Sequence, residues 1–319
     1  MSTNTAFILA AGFGTRLRPL TSIRPKPLLP LLGRPMIDYA LANLRAHGHE
    51  NIMVNAHHLW EEVAKWADQN NVELQVELPN ILGTGGGLRA GISRMAEKVL
   101  VWNGDIIADI HLSDLYSACS NDGAAMALRK SDNLGKVTRV TPSPQGLVER
   151  IGSITQMKQA SPIPDDPSGY HFTGIHTISR KAIEMVPATD ELSCIVRTAY
   201  CELIPQGNVQ AHIHHGQWVD AGTPNDYLTA NLLALAGKIT LPIDQWKDAD
   251  AQYQGCWVSK EADVEGKVHN TIVGKNSHVP KGATLTNCVV WDGVTVPAGE
   301  HLECIFFGNN QKHQGKHLA

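Results

Sequence analysis

Ala6-Phe-Ile-Leu-Ala-Ala-Gly-Phe-Gly-Thr-Arg-Leu-Arg-Pro-Leu-Thr21, continued by Arg24-Pro-Lys-Pro-Leu-Leu-Pro30, is the stretch from which the rest of the chain is read. The apolar run from Ala6 to Ala10 predicts a buried strand. It breaks at Gly12 and Gly14, where backbone N–H groups can approach a ligand closely. Three cations follow: Arg16, Arg18 and Lys26. Glycines followed by fixed positive charge suit a polyphosphate, because amide dipoles and cations both face negative oxygens. Two common phosphate loops are excluded. The Walker pattern ends in Gly-Lys-Ser/Thr, and here Gly14 is followed by Thr15-Arg16. The dinucleotide fingerprint needs a third glycine three residues after the second, and that position is Leu17.

Composition sets the bounds around this stretch. A length of 319 residues predicts two domains, and 43% hydrophobic residues suffice for a sizeable core. The net charge of -4 argues against a nucleic-acid surface, which carries a basic excess. Six scattered cysteines without a C-x-x-C pair argue against a zinc ribbon and a disulfide framework, and fit reduced thiols. The opening Met-Ser-Thr-Asn-Thr has no positive charge, and the apolar run after it is too short for a signal peptide or a membrane span. The expectation is a cytoplasmic protein that binds neither membrane nor nucleic acid.

Downstream, apolar periodicity alternates. A helix from about residue 36 towards Gly48, a strand over 52–55, a helix over 59–70, a strand over 72–76, a glycine-led helix over 84–95 and a strand over 99–102 are predicted. Such alternation implies an α/β fold, a Rossmann-like, mixed and mostly parallel sheet with helices on both faces. Ligands bind at the carboxyl ends of the strands of such sheets, which is where the Gly12 loop, the Gly83 loop and Asp105 fall. The segment 111–235 is less regular: strands are expected over 124–128 and 174–178, an exposed Pro/Asp-rich loop over 161–168, and a helix over 224–236. From about 255 the apolar period becomes six, in Val273, Val279 and Leu285, and again in Val290, Val296 and Leu302. That period suggests roughly three coils of a parallel β-helix, with an irregular β-hairpin tail as the alternative. The expected domains are 1–240, carrying the site, and 255–319.

Several groups invite chemistry. Asp105 in Asn103-Gly-Asp105 follows an apolar strand and reads as a helix N-cap or as a carboxylate open to a ligand. Asp220 in Trp218-Val-Asp-Ala-Gly-Thr-Pro224 reads as a turn residue or a second such carboxylate. Two carboxylates facing a polyphosphate would hold Mg²⁺, which prefers hard oxygen ligands. His212-Ile-His-His215 puts His212 and His214 on one strand face, but no third ligand is evident, and polar strand residues are the reading adopted.

Leu9-Ala-Ala-Gly-x-Gly-Thr-Arg-Leu-x-Pro-Leu-Thr21 followed by Pro25-Lys-Pro27 resembles the signature of the sugar-1-phosphate nucleotidylyltransferases, the nucleotide-sugar pyrophosphorylases, and the resemblance extends over nearly the whole chain. Mannose-1-phosphate guanylyltransferases and N-acetylmuramate-1-phosphate uridylyltransferases are the closest in flavour. The resemblance implies transfer of NMP from an NTP, GTP or UTP, to a sugar 1-phosphate with release of pyrophosphate. It implies Arg16 and Lys26 as the catalytic cations and Asp105 and Asp220 as the Mg²⁺ ligands. Ala10, Ala11, Gly12, Gly14, Thr15, Gly83, Thr84, Asn103 and Gly174 would line the nucleotide and the sugar. It also implies a left-handed sense for the short C-terminal β-helix. So few coils leave open edges, and the expected cover is the catalytic domain of the same chain or the tail of another subunit, the latter giving a homo-oligomer.

Two places depart from the family pattern. The glutamine that reads pyrimidines upstream of the second glycine loop is missing, and Glu77 there could accept N–H groups from guanine. The Glu-Lys-Pro element of the sugar side is replaced around Ser153 and Ile154, which leaves the sugar-phosphate lysine's role to Lys158, Arg150 or Arg197. The rival readings are a non-catalytic regulatory subunit of the same fold, which would have lost Arg16, Lys26 or an aspartate, and a β-helix acyltransferase fusion, for which the C-terminal stretch is short.

Overall fold

Ala6, Phe7 and Ile8 are inaccessible to solvent at the centre of β1 (Thr5–Leu9). A strand that is apolar on both faces belongs inside a parallel sheet. β1 accordingly pairs in parallel with β2 (Asn51–Ala56), which pairs in parallel with β3 (Glu73–Val76), and on its other side with β4 (Lys98–Asn103). The helices α1 (Met36–Ala46), α2 (Trp60–Gln69) and α3 (Gly83–Gly91) alternate with these strands along the chain, as the periodicity predicts. The computed structural model describes residues 4–131, 139–151, 154–155, 169–309 and 311–315. The loop expected over 161–168, Ser153 and Lys158 lie outside the described residues.

Beyond β4 the sheet becomes mixed. It adds β5 (Ala124–Ser131), β6 (Arg139–Pro142), β7 (Val148–Ile151), β8 (Ile154–Thr155), β9 (Gly169–Ser179) and β10 (Val209–His214). The order is β8-β7-β6-β9-β4-β1-β2-β3, with β5 joined to β9 and β10 to β5. β9 runs antiparallel to β4, β5 and β6, and β10 runs parallel to β5. One core, including Phe7, Val101, Met126, Ile178, Tyr200 and Leu203, packs on this sheet.

The chain divides into two compact units: Met1–Gly12 with Asn43–Trp218, and Phe13–Ala42 with Val219–Ala319. The ten-stranded sheet belongs to the first. The second contains the cationic stretch after Gly12, the helix α4 (Pro224–Leu235) and the C-terminal residues. α4 begins where Thr223 accepts the N–H of Asp226 at 3.2 Å and donates its hydroxyl to the Asp226 carboxylate at 2.7 Å. Pro224 at the first helical position adds a preset φ, so Thr223-Pro-Asn-Asp226 is a helix start legible in sequence.

The C-terminal strands form small sheets, parallel except where a final strand, Gln311–Gln314, pairs antiparallel with Cys304–Gly308 as a hairpin. Trp257–Val258, Ile272–Val273, Val289–Val290 and Cys304–Gly308 stack in one; Asp263–Val264 and His278–Val279 form another; Lys267–His269, Ala283–Thr286 and Gly299–Leu302 form a third. Val273, Val279, Leu285, Val290 and Val296 are all buried, as the six-residue period predicts. Leu302 is a correction: it is 57% exposed, and the buried position in its strand is His301, register partner of Leu285. Successive side chains of a strand face opposite ways, so a one-residue slip puts the expected core residue in solvent. Among the described residues no helix is long and apolar enough to cross a membrane, and all six cysteines are thiols.

Candidate active site

In the first unit, the end of β1 is tied to two neighbours. The Ala10 N–H donates to Asn55 Oδ1 at 2.7 Å, and the Gly104 N–H donates to the Leu9 carbonyl at 2.9 Å. Ala10 and Ala11 are buried, whereas Gly12 is exposed and nothing lies within 4 Å of where its Cβ would stand. The start of the glycine loop is therefore anchored by its alanines and open at Gly12.

Asn55 continues the network. Its amide donates to Glu77 Oε1 at 2.7 Å, and Glu77 Oε2 accepts the Leu82 N–H at 2.8 Å. Glu77 is 1% exposed, and burial raises its pKa against the lowering effect of those two donors. Gly87 lies directly over the pair: a Cβ there would come within 2.7 Å of Glu77 Oε1 and 2.8 Å of Asn55 Nδ2. The expectation that Glu77 reads a guanine edge does not hold, because its carboxylate is sealed from solvent and bonded to the protein on both oxygens. Gly83 and Thr84 are half-buried; the Thr84 hydroxyl accepts the Ile195 N–H at 3.1 Å, and the Gly85 N–H donates to the Ser193 carbonyl at 2.8 Å. The second glycine loop is thus clasped by residues 193–195.

Asn103, Asp105 and Gly174 also lie in this unit. Asn103 closes β4, and Gly104 and Asp105 form the turn to the strand Ile106–Ala108, across which Trp102 Nε1 donates to the Ile106 carbonyl at 2.9 Å. Asp105 is half-buried. Gly174 has a φ of 81° where the register between β9 and β5 shifts, and a Cβ there would meet Asn103 Nδ2 at 2.5 Å. Only glycine meets both demands at that position. Asn103 and Gly174, 71 residues apart in sequence (174 − 103), are thereby brought together.

In the second unit, Thr15 and Arg16 are exposed in a short 3₁₀ turn following Gly14. Lys26 is buried, and its Nζ lies 3.1 Å from Asp220 Oδ1. The space above Gly222 is bounded by charged groups: a Cβ there would lie 3.2 Å from Arg16 Nη1, 3.3 Å from Asp220 Oδ2 and 3.5 Å from Asp226 Oδ2. Arg16, Lys26 and Asp220 therefore gather in one cluster with the N-terminus of α4. Two cations and two carboxylates at one helix start form a site suited to a phosphate and to a cation that accompanies it.

Other candidates fall elsewhere. His214 is buried, with Nε2 2.9 Å from the Gln217 carbonyl and 3.2 Å from Asp109 Oδ1, and burial lowers the pKa of His212. Both serve as the polar strand residues expected. Arg150 lies on β7 and lines, with Arg139 and Tyr170, a hollow of about 300 Å³. Arg197 is exposed after the 193–195 clasp. A cluster able to hold a metal ion among the described residues is Asp263, Glu265 and His278 in the C-terminal sheets, and sequence reading did not single it out.

Comparison with known proteins gives the family. Residues 5–237 match the family described as nucleotidyl transferase. The chain belongs to that family. The transferase is 27% identical to a mannose-1-phosphate guanylyltransferase of Mycobacterium tuberculosis, over 93% of this chain and 82% of that one. It is also 27% identical to an N-acetylmuramate α-1-phosphate uridylyltransferase of Neisseria meningitidis, over 73% of this chain and 99% of that protein. Its fold resembles that of HddC from Yersinia pseudotuberculosis, solved in complex with GMP-PN, with a TM-score of 0.59 and 21% identity over 72% of this chain and 98% of that one.

In this transferase, sequence reading missed Asn55 and Asp226. Asn55 is a polar residue near the end of an apolar strand, which is a usable signal. Asp226 is three residues after Thr223 and reads only as a helix cap.

Proposed function

We propose that this nucleotidyl transferase joins a nucleoside triphosphate to a sugar 1-phosphate, with Arg16 and Lys26 as its catalytic cations. The supporting observation is that Arg16 and Asp220 meet over Gly222 while Asp220 also pairs with Lys26. A sugar phosphate oxygen attacks the α-phosphorus in line, a new P–O bond forms, and the α–β anhydride bond breaks to release pyrophosphate. Negative charge builds on the pentacoordinate centre and on the leaving group, where Arg16 and Lys26 would stabilise it. Exposed Gly12 and Thr15, with Gly14, would present backbone amides to the phosphates, and Gly83, Thr84, Asn103 and Gly174 would line base and sugar.

Asp105 and Asp220 are the proposed ligands of Mg²⁺, and as carboxylates they have the hard oxygen donors that ion takes. Bound there, it would neutralise phosphate charge. The base is GTP's or UTP's and the sugar of the mannose 1-phosphate or N-acetylmuramate 1-phosphate type, in line with the relatives' names. The three C-terminal sheets are read as faces of a short left-handed parallel β-helix over 255–319, following a catalytic domain over 1–240. Rungs 15, 17 and 16 residues apart (257, 272, 289 and 305) support this reading. Assembly into a homo-oligomer through it, and a cytoplasmic location, complete the proposal.

The deciding experiment is a panel of four triphosphates against common sugar 1-phosphates, read by pyrophosphate release with Mg²⁺ present. Release with GTP or UTP and one sugar 1-phosphate is expected. No release with any pair would point to the regulatory-subunit reading instead.

A further inference from the structure

We infer that Tyr227, Asn231 and Trp291 are positioning residues for Lys26, so that the C-terminal sheets help set the geometry of the reaction; this rests on the role proposed above for Lys26. Lys26 sits in a segment with little regular structure of its own, a 3₁₀ turn at Lys26–Leu28 followed by the short pair Pro30–Leu31 and Arg34–Pro35. Near neighbours contribute, as where the Tyr39 hydroxyl donates to the Leu31 carbonyl at 2.6 Å, but several of the groups that fix this segment come from distant sequence.

Tyr227 Oη stands 2.5 Å from the Pro30 carbonyl and 2.9 Å from Trp291 Nε1. An indole N–H only donates and a carbonyl only accepts, so the hydroxyl must accept from Trp291 and donate to Pro30. All three groups are buried, so loss of the hydroxyl would leave two polar atoms unpaired. One turn further along α4, Asn231 Oδ1 accepts the Leu32 N–H at 3.2 Å, while its amide donates to the Tyr227 carbonyl at 3.1 Å. Leu32 has a φ of 44°, a strained value for a leucine, and that bond holds it there.

The next residue, Gly33, has a φ of 73° and lies against the Trp257 ring, where a Cβ would come within 2.1 Å of Cη2. At the other end of the segment, the Arg24 guanidinium lies 4.9 Å over the Trp291 ring. Residues 24, 30, 32 and 33 are thus held by α4 or by the C-terminal tryptophans. α4 itself starts four residues after Asp220, the partner of Lys26. The same compact unit therefore carries both members of the Lys26–Asp220 pair and the contacts that hold their segments. None of the residues assigned above to phosphate, base or Mg²⁺ lies after residue 255, yet these contacts give the C-terminal sheets a share in placing Lys26.

The test uses the full chain. Tyr227→Phe removes one hydroxyl and keeps the ring. We expect kcat for pyrophosphate release to fall about tenfold, a loss in keeping with a sub-ångström misplacement. KM for the triphosphate should move by less than about twofold. In a Lys26→Ala background the same change should cost nothing more, because the group to be placed is gone. Wild-type kcat in Tyr227→Phe, even with a lowered melting temperature, would overturn the inference, and so would a loss that multiplies in full with that of Lys26→Ala. An inactive wild-type protein would sink the reaction reading instead, and the placement of Lys26 is then read without turnover. Lys26 should undergo reductive methylation several-fold faster in Tyr227→Phe than in wild type, by mass spectrometry relative to the other lysines; equal rates would overturn the inference.

Discussion

Lys26 and Asp220 are 194 positions apart in sequence, and Lys26 Nζ lies 3.1 Å from Asp220 Oδ1. The lysine side chain is only 10% exposed and the carboxylate 25%. Lys26→Ala should lower kcat by about 10²–10³-fold, the cost of deleting a preorganised charge-stabilising donor. Steady-state kinetics separate the possibilities: a rise in KM alone would make Lys26 a uniform binder of triphosphate.

The two aspartates are predicted to act through a metal. Asp105→Asn and Asp220→Asn should each abolish Mg²⁺-dependent turnover with the melting temperature kept, since a neutral amide holds a divalent cation weakly. A Mg²⁺ titration of rate checks this. Near-normal turnover in both variants at ordinary Mg²⁺ would end the two-aspartate proposal.

Glu77→Gln is predicted to act on stability. Both carboxylate oxygens accept N–H donors, so an amide would turn one acceptor into a donor facing a donor. The expected loss is about 1–3 kcal/mol in urea unfolding, the cost of an unmade buried hydrogen bond. A changed preference between GTP and UTP with unchanged stability would restore the base-reading role.

His176 sets a pH dependence. It is fully buried, its Nδ1 lies 2.5 Å from the Tyr200 hydroxyl, and burial pushes its pKa down to about 3 from 6.5. The folded value is the lower one, so the unfolded chain binds the extra proton between these values, and stability rises with pH across that window. The stability is fully present above about pH 6.5 and is lost on acidification towards pH 3. His176→Gln should flatten this part of the stability profile. Parallel pH profiles of wild type and variant by thermal melting would refute the assignment.

Much of the first unit was legible because its signals are local. Apolar runs of strand length, helices of period 3.6 and glycine-marked turns are set by near neighbours, and β1 to β4 with α2 and α3 follow them closely. The signals weaken where pairing is long-range. Whether β9 runs antiparallel between β4 and β5 depends on partners distant in sequence, and a one-residue slip such as that at Leu302 leaves the apolar spacing almost intact.

The sequence by itself determined the parallel core and marked out the loop, cations and carboxylates proposed here for a polyphosphate, because residue type and spacing carry that chemistry directly. Only the tertiary structure decided which groups meet. It sealed Glu77 beneath Gly87 and gave its carboxylate to Asn55 and Leu82, and it placed Asn103 under Gly174. It closed Lys26 onto Asp220 and fixed the segment of Lys26 through Tyr227 and Trp291. The reason is physical: a buried polar group must find a hydrogen-bond partner within about 3 Å, and which partner stands there is settled by packing, not by order along the chain.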